Sequence, residues 1–132
     1  MREIGLIKAL AMTRRAGKMT PEERAALRRR RLEALVAHAR ANSPYYAERY
    51  TGLGADFALT DLPAVNKVEL MARFDDWTAD RAVTLARVRA FMEDKDNIGR
   101  MLDGKYLVFT TSGSTGHPAV IIWDKTAMNI SS

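Results

Sequence analysis

Residues Tyr106 to Asp124 read YLVFTTSGSTGHPAVIIWD. Two runs rich in β-branched and aromatic residues, Tyr106–Thr111 and Ala119–Trp123, flank a stretch of Ser, Gly, Thr, His and Pro. Such runs favour extended backbone, and the residues between them favour turns, so the pattern predicts strand, loop, strand. In the loop, Gly113 and Gly116 can turn the backbone so that successive N–H groups converge, as in an anion-binding nest. Ser112, Ser114 and Thr115 add three hydroxyl donors. The loop is therefore chemically suited to phosphate. It is not a Walker loop: no lysine follows Gly116, and the next element reads as a strand rather than a helix. Composition by itself favours a plain hairpin connection.

The rest of the chain narrows the function classes. Its 132 residues suit one ordinary domain, and 47% hydrophobic residues can build a core. The net charge is +5 and there is no cysteine, which excludes a disulfide framework, a thiolate metal site and a cysteine nucleophile. His38 and His117 offer no metal-ligand spacing, so no metal site is expected from the residues themselves. No apolar run approaches the ~20 residues of a membrane span. The first residues, MREIGLIKALAMTRRAGK, lack the order of a secretory or twin-arginine signal. They predict a basic amphipathic helix over about 2–15 that rests on the protein, with loose membrane contact as the other reading. A soluble cytoplasmic protein is expected.

Upstream of the strands the sequence is helical. Thr20-Pro21-Glu22-Glu23 carries an N-cap, a first-turn proline and the acid of a capping box. The helix it starts is expected to reach Ala41, with Leu32, Leu35, Val36 and Ala39 on its buried face. Arg28 to Arg31 are four consecutive arginines. Successive helical residues turn by about 100°, so these form no single stripe, and a solvated helix face is expected rather than a nucleic-acid interface. Ser43 and Pro44 start a short helix, and Tyr45, Tyr46 and Tyr50 read as a packing cluster. Asn66 caps a further helix with Glu69 closing its box, and Leu70, Met71 and Phe74 on its inner face. Lys67 is expected to be an exposed first-turn residue. Adjacent Asp75 and Asp76 diverge, so a helix-end role is expected rather than acid–base work. Thr84–Lys95 reads as a helix with Leu85, Val88, Phe91 and Met92 inward.

The string Thr111-Ser112-Gly113-Ser114-Thr115-Gly116-x-Pro118 resembles the phosphate-loop signature of the adenylate-forming superfamily. The order of helical strings before it (Ser43-Pro44-Tyr45-Tyr46, then Leu62-Pro63 with Lys67 and Leu70) is similar to the N-terminal portion of the phenylacetate–coenzyme A ligase and coenzyme F synthetase branch. The resemblance covers roughly residues 20–124. It implies a two-step reaction: ATP activates a small carboxylic acid to an acyl-adenylate, and coenzyme A then displaces AMP. Thr111, Ser112, Gly113, Ser114, Thr115 and Gly116 would bind the nucleotide phosphates, with Mg2+ bridging them. Donors fixed in place stabilise the charge that grows on departing pyrophosphate.

Two departures qualify that implication. Ala119 stands where many superfamily members carry a lysine. The family's later motifs (the aromatic–acidic motif, the ribose-binding aspartate, the hinge and the C-terminal lysine) have no counterpart among these residues, and no catalytic residue is assigned. The expectation is therefore an α/β chain: a basic extension over 1–19, then 20–132 as an incomplete N-terminal domain with a helical half and a phosphate-loop hairpin. It would act with the remainder of the same enzyme and be inactive and weakly stable alone. The alternatives are a stand-alone remnant that binds phosphate or a partner, AMP transfer to a deazaflavin coenzyme in the full enzyme, or a basic module in which the loop is incidental.

Overall fold

The computed structural model describes residues 5–111 and 118–131. Their order is α1 (Leu6–Gly17), α2 (Pro21–Asn42), α3 (Pro44–Arg49), α4 (Lys67–Ala72), α5 (Phe74–Trp77), α6 (Leu85–Glu93), β1 (Tyr106–Thr110), β2 (Val120–Asp124) and α7 (Lys125–Ser131). Single 3-10 turns lie at Leu59–Asp61 and Lys95–Asn97. A helical first half followed by an antiparallel hairpin is the architecture expected from the sequence. The chain divides into two compact units, Ala26–Arg87 and the combination of Met1–Ala25 with Val88–Ser132.

Helix starts follow their local signals. Glu23 N–H donates to Thr20 Oγ1 at 3.2 Å, and Thr20 N–H donates to Glu23 Oε2 at 2.8 Å, so the capping box opening α2 is formed in both directions. Ser43 Oγ accepts from Tyr46 N–H at α3, Asn66 Oδ1 from Glu69 N–H at α4, and Asp124 Oδ1 from Ala127 N–H at α7. Each satisfies an N–H that an α-helix leaves without an internal partner. The first helix differs from expectation: it runs through Gly17, and Lys18 forms its C-cap.

In the unit Ala26–Arg87, the core gathers Val36, Tyr50 and Phe57, with Leu32, Ala39, Tyr46, Leu53 and Leu62 packed around them. Leu35, expected on the same face, is instead 64% exposed. Next to Val36 on the helix, Leu35 is turned by about 100° and misses this cluster. The tyrosines pack on one another as expected: Tyr46 stacks on Tyr50 at 5.2 Å between ring centres and meets Tyr45 edge-on. Arg40 donates to the carbonyls of Tyr50 and Leu53, holding the segment after α3 against α2.

In the other unit, α1 buries Ala9 and packs against α7. Val88 is fully buried on α6, whereas Met92, expected beside it, is exposed. Asp94 and Asn97 make the turn that follows, Asn97 donating to Phe91 O and to Asp94 Oδ2. Leu102-Asp103-Gly104-Lys105 then reverses the chain. Asp103 and Gly104 both have positive φ, 53° and 67°, and Lys105 N–H donates to Leu102 O. This is a type I′ geometry, which Asp-Gly favours, and it delivers the chain into β1 in line with the Leu102–Tyr106 bridge.

Strands β1 and β2 pair antiparallel from Tyr106↔Asp124 to Thr110↔Val120. Directly opposed residues share a face, so one face carries Tyr106, Val108, Thr110, Val120, Ile122 and Asp124, and the other Leu107, Phe109, Ile121 and Trp123. Phe109 and Trp123 meet edge-on at 5.1 Å. Both faces are thus mainly apolar, yet of these ten residues only Val120 is buried.

Candidate functional site

Thr111 and Ala119 flank the connection between the two strands, in which the expected phosphate loop falls. Beyond the last pair, Thr110↔Val120, Thr111 N–H donates to Ala119 O at 3.0 Å, and Ala119 N–H donates to Thr111 Oγ1 at 3.0 Å. The two strands are thereby tied at the loop's base. Thr111 is exposed and Ala119 is buried. Accepting one hydrogen bond leaves the Thr111 hydroxyl its own hydrogen, so it can still donate. Of the six candidate nucleotide-binding residues, Thr111 is the one described. Ser112, Gly113, Ser114, Thr115 and Gly116, and with them His117, lie outside the described residues.

Two other polar groupings, around Glu69 and around Arg29, are committed to internal partners. The Tyr45 hydroxyl donates to Glu69 Oε1 at 2.8 Å, and Arg49 Nη1 donates to the same oxygen at 2.6 Å. Arg49 also donates to Ala64 O. Two guanidiniums lie over the Tyr45 ring, Arg49 at 5.5 Å and Arg73 at 5.2 Å from its centre. Burial pushes the Tyr45 phenol above its ordinary pKa, and the hydrogen bond to Glu69 raises it further. Glu69, expected to close the capping box of α4, thus turns Oε1 to a tertiary partnership. Sequence spacing carries no signal for it, because Glu69 lies on α4 whereas Tyr45 and Arg49, four residues apart, share α3.

Arg29 is similarly occupied. It donates to Phe57 O, Asp56 and Glu33 and lies 5.3 Å over the Phe57 ring, while Arg28, Arg30 and Arg31 are exposed. The four arginines therefore point around the helix: three are exposed, as expected of a solvated face, and Arg29, against that expectation, is structural. Asp75 Oδ1 accepts from Leu85 N–H at 2.7 Å, and Asp76 pairs with Arg73 at 3.4 Å, so the two aspartates serve helix ends rather than a shared site. Lys67 is half-buried rather than exposed.

Among the described residues no group of three or more His, Cys, Asp or Glu side chains could hold a metal ion. Among them, too, no helix is long and apolar enough to cross a membrane. No protein-family model matches the chain, and no curated protein or solved structure is significantly similar to it.

Proposed function

We propose that the chain supplies the phosphate-binding opening of an adenylate-forming ligase, with Thr111 to Gly116 taking the nucleotide phosphates. The observation that carries this reading is the string Thr-Ser-Gly-Ser-Thr-Gly-x-Pro between two strands in antiparallel register, tied at its base by Thr111 and Ala119. The tie to Ala119 holds Thr111 in place, and a donor held in place needs no reorganisation when charge develops on a phosphate. The Thr111 hydroxyl, exposed and with a hydrogen to donate, fits a phosphate-facing role. Mg2+ would bridge the nucleotide phosphates, as the resemblance implies.

The hairpin's two apolar faces support a place in a larger sheet. Strands buried on both sides read as continuous apolar runs, and β1 and β2 have that composition with little of that burial. The rest of such a sheet would carry the adenine, ribose and acid sites. On this reading the activity is that of the whole ligase: a small carboxylic acid activated with ATP and passed to coenzyme A.

The test is binding by the 132-residue chain, measured calorimetrically with Mg-ATP and with pyrophosphate. Weak binding of both, lost in the double variant Ser114→Ala with Thr115→Ala and without turnover, is the expected result. Binding that survives the double variant, or no binding at all, would overturn the assignment of the loop.

A further inference from the structure

We propose that the outward face of α1 is a docking surface for an anionic lipid bilayer. Helix α1 buries one side only, at Ala9, with Met12 and Ala16 half-buried beside it at the spacing of one helix face. The opposite face presents Ile7, Leu10, Ala11, Arg14, Arg15 and Lys18, which border one shallow groove. Ile7 is 87% exposed, Leu6 60% and Leu10 52%. Three large aliphatic side chains are thus held in water within two turns. Lys8, Arg14, Arg15 and Lys18 are exposed around and after them, and no acidic residue lies between Leu6 and Lys18.

The dipole of α1 accounts for basic residues in its last turn. It gives no reason to leave Leu6, Ile7 and Leu10 in solvent. An anionic bilayer accounts for both. The aliphatic residues would sink below the headgroups, and the long basic stems would keep their charges among lipid phosphates. A helix of this length spans about 18 Å along its axis, so it would lie in the interface and not cross it. With only three large apolar anchors, adhesion depends on the cations and hence on anionic lipid. This inference is independent of the loop chemistry proposed above.

The experiment is flotation of the full chain with unilamellar vesicles of phosphatidylcholine, alone or mixed with a third phosphatidylglycerol, at low and physiological salt. The expected result is flotation with the anionic vesicles only, weakened by salt. Arg14→Gln with Arg15→Gln should reduce partitioning by about 30-fold, taking the usual contribution of two basic residues near an anionic surface. Ile7→Asp with Leu10→Asp should abolish it. Both pairs are exposed, so circular dichroism should show unchanged helix content. The proposal is overturned by equal binding to neutral vesicles, by no binding, or by binding that survives both variants. It is also overturned if the chain self-associates through this face instead, seen as a concentration-dependent dimer in sedimentation that Ile7→Asp dissociates.

Discussion

Tyr45 shows how one side chain joins helices that lie far apart in sequence. It is 1% exposed, its hydroxyl bonded to Glu69 and its ring under the guanidiniums of Arg49 and Arg73. A phenol in such a place resists ionisation, and Tyr50 is raised in the same direction, again chiefly by burial. The sign of the pH effect follows. With the folded pKa above the unfolded one, the neutral forms support the fold fully below the unfolded value, about 10. That support is lost as pH rises through the folded value, because the unfolded chain releases its protons first. Denaturant midpoints should therefore be level on the approach to about pH 10 and fall beyond it. Tyr45→Phe should cost about 1 kcal/mol at neutral pH through the lost hydrogen bond and flatten the alkaline fall. An alkaline limb unchanged in Tyr45→Phe would remove Tyr45 from this account. That Tyr45, Tyr46 and Tyr50 pack together is legible in their spacing. That Tyr45 shares Glu69 with Arg49 is not, since Glu69 reaches α3 from another helix, and spacing within either helix carries no sign of it.

The elements themselves were more readable, because the signals that start and stop them act over three or four residues. Thr20 with Glu23, Ser43 with Pro44, and Asn66 each mark a helix start that the structure forms. The type I′ turn before β1 was also present in the sequence, as Asp103-Gly104 ahead of an apolar run. Gly104 holds φ at 67°, and an added Cβ there would meet nothing within 4 Å. Gly104→Ala therefore isolates backbone strain from crowding. It should destabilise the fold by about 1–2 kcal/mol, read as a shift in denaturant midpoint. Gly104→Asn should cost less, since asparagine tolerates this conformation better. Equal stability of Gly104→Ala and the parent would mean the turn relaxes to another type.

At the scale of the whole molecule, burial is uneven. The unit Ala26–Arg87 has a cluster built from several segments, whereas the hairpin leaves most of its two apolar faces partly open. An isolated two-stranded sheet is marginal in water. We therefore expect a broad, weakly cooperative thermal transition for the 132-residue chain. Amide exchange should be faster in Tyr106–Thr110 and Val120–Asp124 than around Val36 and Tyr50. A sharp single melt with uniform protection would show instead that the hairpin needs no further cover. Part of the candidate site is legible at this scale: the residue types of the loop come from sequence, and its tied base from the pairing of Thr111 with Ala119.

The sequence alone determined where α2, α3 and α4 begin, where the two strands lie and which residues connect them. Those features arise from backbone propensities, caps and side-chain alternation, all acting between near neighbours. Only the tertiary structure decided that Val36 is buried while Leu35 is exposed, that Val88 is covered while Met92 is not, and that Arg29 serves Phe57. It likewise decided that α1 keeps Ile7 in water. Burial depends on which distant segment arrives to cover a face, and helix periodicity identifies an apolar face without saying what will meet it.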